Sequence, residues 1–141
     1  LSSMDGDEAR IAHHDLCFGC GLANVFGLQL ELEERGGGAL GGRFFVKQDH
    51  QGPPGLAHAG VLASALAEAM SLAAERHAYA SARELVLELH RTAPIGTYLE
   101  VTARIVEDDR DARRTAAELR DARGELVAAG RALFVEPGGD R

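Results

Sequence analysis

The residues best suited to chemistry lie between His50 and Met70. His50-Gln51-Gly52-Pro53-Pro54-Gly55 is a turn-forming loop. His58-Ala59-Gly60 leads from it into an apolar run, Val61 to Met70, that carries one carboxylate, Glu68. A helix starting near Gly60 leaves backbone N–H groups free at the positive end of its dipole. Such groups suit a carbonyl oxygen that becomes an oxyanion. A carboxylate inside a mostly apolar helix is costly unless it has a partner or a task. Donor, loop and acid together point to acyl chemistry.

In that reading the Ala59 and Gly60 N–H groups stabilise the oxyanion, and the loop glycines, Gly55 among them, let a ligand come close. Glu68 is the general base or the nucleophile, activating water or attacking the carbonyl carbon itself. Partial burial would raise its pKa and strengthen it as a base. The other reading of Glu68 is a seam residue paired with an Arg or a Ser hydroxyl. Gln51 either orients the carbonyl or water, or closes a loop hydrogen bond. His58 either structures the loop or transfers a proton.

These residues need elements to hold them. Leu28-Gln29-Leu30-Glu31-Leu32-Glu33 alternates and predicts a strand; Gly36-Gly37-Gly38 turns the chain, and Gly41 to Val46 returns as a second strand. The helix is predicted over about Gly60 to Ala78. Val61, Leu62, Ala65, Leu66, Ala69, Leu72 and Ala73 share its apolar face. Ala63, Ala67 and Ala74 make a small-residue face, and Ser64, Glu68, Ser71 and Glu75 a polar seam between the two. Strands follow over Leu85–Arg91, Tyr98–Glu107, Arg113–Arg120 and Leu126–Val135, with turns at Pro94-Ile95-Gly96, at 108–111 and at 121–124. The order β-β-α-β-β-β-β is α+β: one long central helix wrapped by a mainly antiparallel sheet.

Ala59 and Glu68 are nine residues apart, so about 13 Å along one helix. A small acyl group cannot touch both in one subunit. Two helices antiparallel across a two-fold axis would bring donor and acid together. The site is therefore expected to span a homodimer interface.

The chain has 141 residues, 45% apolar and without Trp. That is one domain with a core of Leu, Val, Ala and a few Phe. Residues 1–16 read as a flexible N-terminal segment, 17–136 as the domain and 137–141 as a tail. No apolar run reaches the ~18–20 residues of a membrane span, and no signal peptide is visible. A net charge of −7 argues against nucleic-acid binding. Two cysteines, Cys17 and Cys20, are too few for a disulfide framework, so the cytoplasm is the default location. Cys17-x-x-Cys20 with His13-His14 has the ligand count of a zinc site. The preferred reading is a packed turn with free thiols, and no metal is expected.

Four motifs, in order, resemble the hotdog-fold acyl-CoA thioesterases, specifically the PaaI-like group. They are Cys17-Phe18-Gly19-Cys20-Gly21 with Asn24 and Gly27-Leu28; the loop His50 to Gly55; His58-Ala59-Gly60 at the group's His-Gly-Gly position; and Leu89 to Gly96, a strand ending in a Pro-x-Gly turn. The resemblance covers about residues 17–135. It implies a hotdog fold, an acyl-CoA substrate, a homodimer or dimer of dimers, no cofactor and no membrane partner. The residues implied for chemistry are Glu68, Ala59, Gln51 and His58. Those implied for substrate are Gly60, Gly55, Ser64, Ala67, Glu84 and Arg91. Arg43, Lys47, Arg83, Arg91, Arg113 and Arg114 are candidates for the CoA phosphates.

This sequence also departs from the group. Ala59 stands where relatives carry Gly, Ala67 where they carry the catalytic acid, and Glu84 where they often carry Thr or Ser. One helical step turns a side chain by about 100°, so Glu68 does not simply replace an acid at Ala67. The alternative is a hotdog protein that binds acyl-CoA or another apolar ligand and turns nothing over.

Overall fold

The computed structural model describes residues 9–75, 81–109 and 111–136. Its elements are β1 (Arg10–Ile11), β2 (Glu31–Gly36), β3 (Ala39–Phe45), α1 (Ala59–Ala74), β4 (Ser81–Leu89), β5 (Tyr98–Asp108), β6 (Ala112–Arg120) and β7 (Leu126–Val135). A 3-10 turn at Gln48–His50 opens the loop before α1. The strands form one sheet of order β1-β2-β3-β5-β6-β7-β4, and every neighbouring pair is antiparallel. α1 lies across β5, β6 and β7. This is the central helix wrapped by an antiparallel sheet that the residue pattern predicts.

Alternation decides what the sheet buries. Leu99, Val101 and Ala103 of β5, Leu119 of β6 and Val127 of β7 turn inward. They meet Leu62, Leu66, Ala69, Met70 and Ala73 of α1. Each fully buried Leu or Val stabilises the fold by about 1.5–3 kcal/mol. Leu28, Leu30 and Leu32 are buried as their spacing predicts. The regular strand starts only at Glu31, because Gln29 takes a left-handed φ of 54° and breaks the extended run. Its side chain is tied on both sides, donating to the Leu22 carbonyl and accepting from Lys47 Nζ.

Residues 9–16 are the described part of the N-terminal segment, and within it Arg10 and Ile11 pair with Glu33 and Leu32. The Arg10 guanidinium also donates to the carbonyls of Cys20 and Leu30. One expectation changes. Arg113, proposed for CoA phosphates, is instead buried beneath the C-terminal end of α1. Its Nη1 donates to the Ala74 carbonyl at 3.0 Å, and its Nε and Nη2 pair with Asp108 at 3.1 Å and Glu136 at 2.8 Å. It closes the helix by taking up one of its free carbonyls and countering its dipole. The predicted continuation of α1 to Ala78, and Arg76 and His77 with it, lies outside the described residues.

Arg113→Ala is expected to cost about 2–3 kcal/mol, because both carboxylates are partly solvated and the carbonyl is not. Urea unfolding measures it. A loss under about 0.5 kcal/mol would refute the capping role.

Candidate functional site

The loop 48–58 is built by mutual hydrogen bonding with the Pro94-Ile95-Gly96 turn. Ala57 N–H donates to the Ala93 carbonyl, Ile95 N–H to that of Gly55, and Gly96 N–H to that of Val46. Gly55 sits at φ 80°, a conformation that a side chain would strain. His50 is buried at the base of the loop. Its Nδ1 accepts from Lys47 N–H at 3.0 Å and its Nε2 donates to the Gly27 carbonyl at 3.3 Å. Burial holds its pKa below the ordinary imidazole value. Gln51 Oε1 accepts from Gly55 N–H, so the loop hydrogen bond is the one formed here.

The loop delivers the chain to α1 with His58 as N-cap. His58 Nδ1 accepts from Gly60 N–H at 2.8 Å. This corrects one expectation, since the Gly60 N–H is engaged by its own cap and is not free for an oxyanion. Val61 and Leu62 N–H both reach the His58 carbonyl. Among the described residues, no acceptor faces the Ala59 N–H. Ala59 is exposed at the first position of the helix. One unpartnered donor therefore stands at the positive end of α1.

Farther along the same helix, Ser64, Ala67, Glu68 and Ser71 line an open groove of about 330 Å³, walled by Cys17–Gly19 on one side and by Ala82, Leu85 and Phe134 on the other. Glu68 is the one carboxylate in that lining. The larger concavity, about 840 Å³ between β2, β3 and β5, includes no residue of the loop or of α1.

Glu68 is held tightly. His13 Nδ1 donates to its Oε2 at 2.8 Å and Cys17 Sγ to the same oxygen at 3.4 Å. Cys20 Sγ lies 3.5 Å from His13 Nδ1 and accepts His13 N–H at 3.1 Å. Gly19 passes so close that a Cβ there would overlap the Glu68 carboxylate. The far nitrogen of His13, Nε2, meets Glu75 Oε2 at 3.1 Å, and Ser71 Oγ donates to that same oxygen at 2.6 Å. The electrostatics follow. Burial opposes ionisation of Glu68, but the hydrogen bonds from His13 and Cys20 outweigh it and lower its pKa. Hydrogen bonds to Cys20 and Glu68 push His13 up to about 12, against burial. Burial pushes the Cys20 thiol up. The expected raised pKa of Glu68 is thus reversed: the carboxylate is ionised and anchored. His13 was visible in the sequence only as a neighbour of the cysteine pair. His14 does not join the cluster; its Nδ1 accepts Leu16 N–H.

The other expected contacts disperse. Glu84 faces Arg114 from the exposed side of β4, and Arg91 pairs with Glu125. Arg43 pairs with Glu31 and stacks on Tyr98, while Lys47 binds the Val25 carbonyl. Those two line one concavity with Phe45 and Tyr98; Arg83, Arg91, Arg113 and Arg114 do not.

Comparison with solved structures supplies the family context. A thioesterase superfamily protein superposes with a TM-score of 0.76 at 28% identity, over 82% of this chain. The chain has the hotdog fold of the thioesterase superfamily. The match spans 60% of that protein's own length. Zebrafish thioesterase superfamily member 2 gives a TM-score of 0.72 at 21% identity, over 82% of this chain and 91% of that one. A mutant of the phenylacetic acid degradation protein PaaI from Thermus thermophilus gives 0.70 at 24%, over 77% and 93%. No protein-family model and no curated protein matches the chain. Within the hotdog architecture, Ala59 sits at the start of the central helix and Glu68 a little over two turns into it. Among the described residues, no helix is long and apolar enough to cross a membrane.

Proposed function

We propose that this hotdog protein hydrolyses acyl-CoA thioesters at two equivalent sites of a homodimer. The observation that carries the reading is the exposed, unpartnered Ala59 N–H at the start of α1. It is the kind of fixed donor that stabilises an oxyanion at a tetrahedral centre. The thioester carbonyl oxygen lies against it. Glu68 of the second subunit, anchored through Oε2, takes a proton from water. The water oxygen bonds to the carbonyl carbon, the C–S bond breaks, and the CoA thiolate leaves and is protonated. Ser64 and Ala67 flank that carboxylate, with Gly55 and Gln51 in the loop above the donor. Two unpaired thiols fit a reducing compartment, the cytoplasm.

The dimer is supported by the sheet edge. β4 ends the sheet, and its Leu85, Val86 and Leu89 are 43%, 40% and 49% exposed. A long apolar edge strand next to a groove lined by small helix residues calls for a second chain. Leu89→Lys is expected to weaken dimerisation at least about tenfold, read by sedimentation equilibrium. A wild type that stays monomeric at micromolar concentration would refute the shared site.

The second reading, an acyl-CoA binder without turnover, is favoured by one feature. Ala67 leaves the groove without a free acid, and Glu68 is engaged by His13. Thiol release from a panel of short, long and aryl acyl-CoAs separates the two. Turnover is expected; saturable binding with no thiol release would favour the binder.

A further inference from the structure

The His13–Cys17–Cys20–Glu68 cluster does more than the hydrolytic reading asks of it. His13 Nδ1, Cys17 Sγ, Cys20 Sγ and one Glu68 carboxylate oxygen all lie within 4.8 Å of one another. Zinc bonds of about 2.0–2.3 Å in a tetrahedron put ligand atoms about 3.3–3.8 Å apart. The Cys17–His13, Cys20–His13 and Cys17–Glu68 separations are 3.6, 3.5 and 3.4 Å. The His13–Glu68 separation of 2.8 Å is that of a hydrogen bond, and it need open by only about 0.5 Å.

The surroundings match as well. A metal-bound imidazole typically gives its other N–H to a carboxylate, which fixes the tautomer and turns a lone pair to the metal. His13 Nε2 meets Glu75 in this way, and Ser71 steadies Glu75. His13 N–H points at the Cys20 sulfur, a hydrogen bond that favours its thiolate against the effect of burial. An ion pair between His13 and Glu68 requires no cysteine, yet two thiols close the same shell. The site also has a mechanical rationale. It ties residues 9–21, which contribute only the two-residue β1 to the sheet, onto α1.

We propose that His13 Nδ1, Cys17 Sγ, Cys20 Sγ and Glu68 Oε2 bind one zinc ion in a closed tetrahedral site that clamps the N-terminal segment to the central helix. Two thiolates with one imidazole and one carboxylate select zinc over harder cations. On binding, both thiol protons and the proton between His13 and Glu68 leave to solvent. No oxidation state changes. The ion holds Glu68 through one oxygen and is a structural element. The proposal does not rest on the hydrolase reading, since metal content is read without turnover.

The test is the metal content of the full chain purified without chelator, with its optical spectrum after exchange to Co²⁺. About one zinc per chain is expected, with intense near-ultraviolet thiolate-to-cobalt charge-transfer bands and visible bands of tetrahedral strength. Cys17→Ser/Cys20→Ser should lower zinc at least about tenfold and abolish the charge-transfer bands. Should that variant fail to fold, the wild-type cobalt spectrum decides alone. Zinc-free wild type that takes up no Co²⁺, a weak octahedral cobalt spectrum, or a Cys17–Cys20 disulfide in the intact mass would each overturn the proposal.

Discussion

Ala59→Pro should lower kcat about 10²–10³-fold while leaving the fold intact. Proline removes the N–H proposed to meet the oxyanion and nothing else that the structure uses. Ala59 follows the N-cap, at the one helix position where proline is preferred and where its fixed φ fits. The preceding residue must then be extended, and His58 already is, at φ −66° and ψ 138°. The His58–Gly60 cap survives, since it uses the next amide. Ala59→Gly, which keeps the N–H, should stay within about threefold of wild type and serves as the control. Steady-state thiol release with matched thermal melts measures both variants. Unchanged kcat in a folded Ala59→Pro protein would remove the helix N-terminus from the mechanism.

Glu68→Gln should lower kcat by about 10²–10⁴-fold, the range expected when a positioned base is lost. The amide keeps the shape that packs against Gly19 and removes the charge. KM should change little, because in the proposed site the acyl group would pack on the groove wall rather than on the carboxylate's charge. Because Glu68 is ionised well below neutrality, the carboxylate needs no activation at neutral pH, but it is a weaker base than a raised one would be. A slow wild-type rate is therefore expected. Ala67→Asp, which puts an unanchored acid into the same groove, should raise it. Wild-type-like turnover in Glu68→Gln would take Glu68 out of the chemistry. No turnover in wild type with activity gained in Ala67→Asp would mean a thioesterase scaffold that binds without hydrolysing.

What the sequence made legible follows the reach of each signal. Period-two and helical spacing set the helix and six strands to within a few residues, because alternation reports burial directly. The strand start slipped at Gln29, where a non-glycine residue with positive φ has no composition signature. Local spacing likewise puts the helix start at about Gly60, one residue from the observed Ala59. It could not show that His58 would take the Gly60 amide and leave only the Ala59 N–H without an acceptor.

Long-range partners were the harder part. Arg113 reads as one more strand cation, and only the fold puts it under Ala74. Glu68 reads as a seam acid whose pKa burial should raise. His13 meets it from 55 residues away and reverses the direction. The Cys-x-x-Cys pair was visible, but the choice between a packed turn and a ligand set depends on what lies across from it. Leu85 and Leu89 of β4 alternate like core residues yet stay exposed in the single chain, and in the proposed dimer a second chain would cover them.

Subunit mixing tests whether donor and carboxylate come from different subunits. Ala59→Pro and Glu68→Gln homodimers should each be nearly inactive. Unfolding and refolding them together in equal amounts makes half of the dimers mixed, each with one intact and one doubly defective site. Thiol release should recover to about a quarter of the wild-type rate. Recovery of that size is the predicted result; a mixture no more active than its two parents would contradict the shared site.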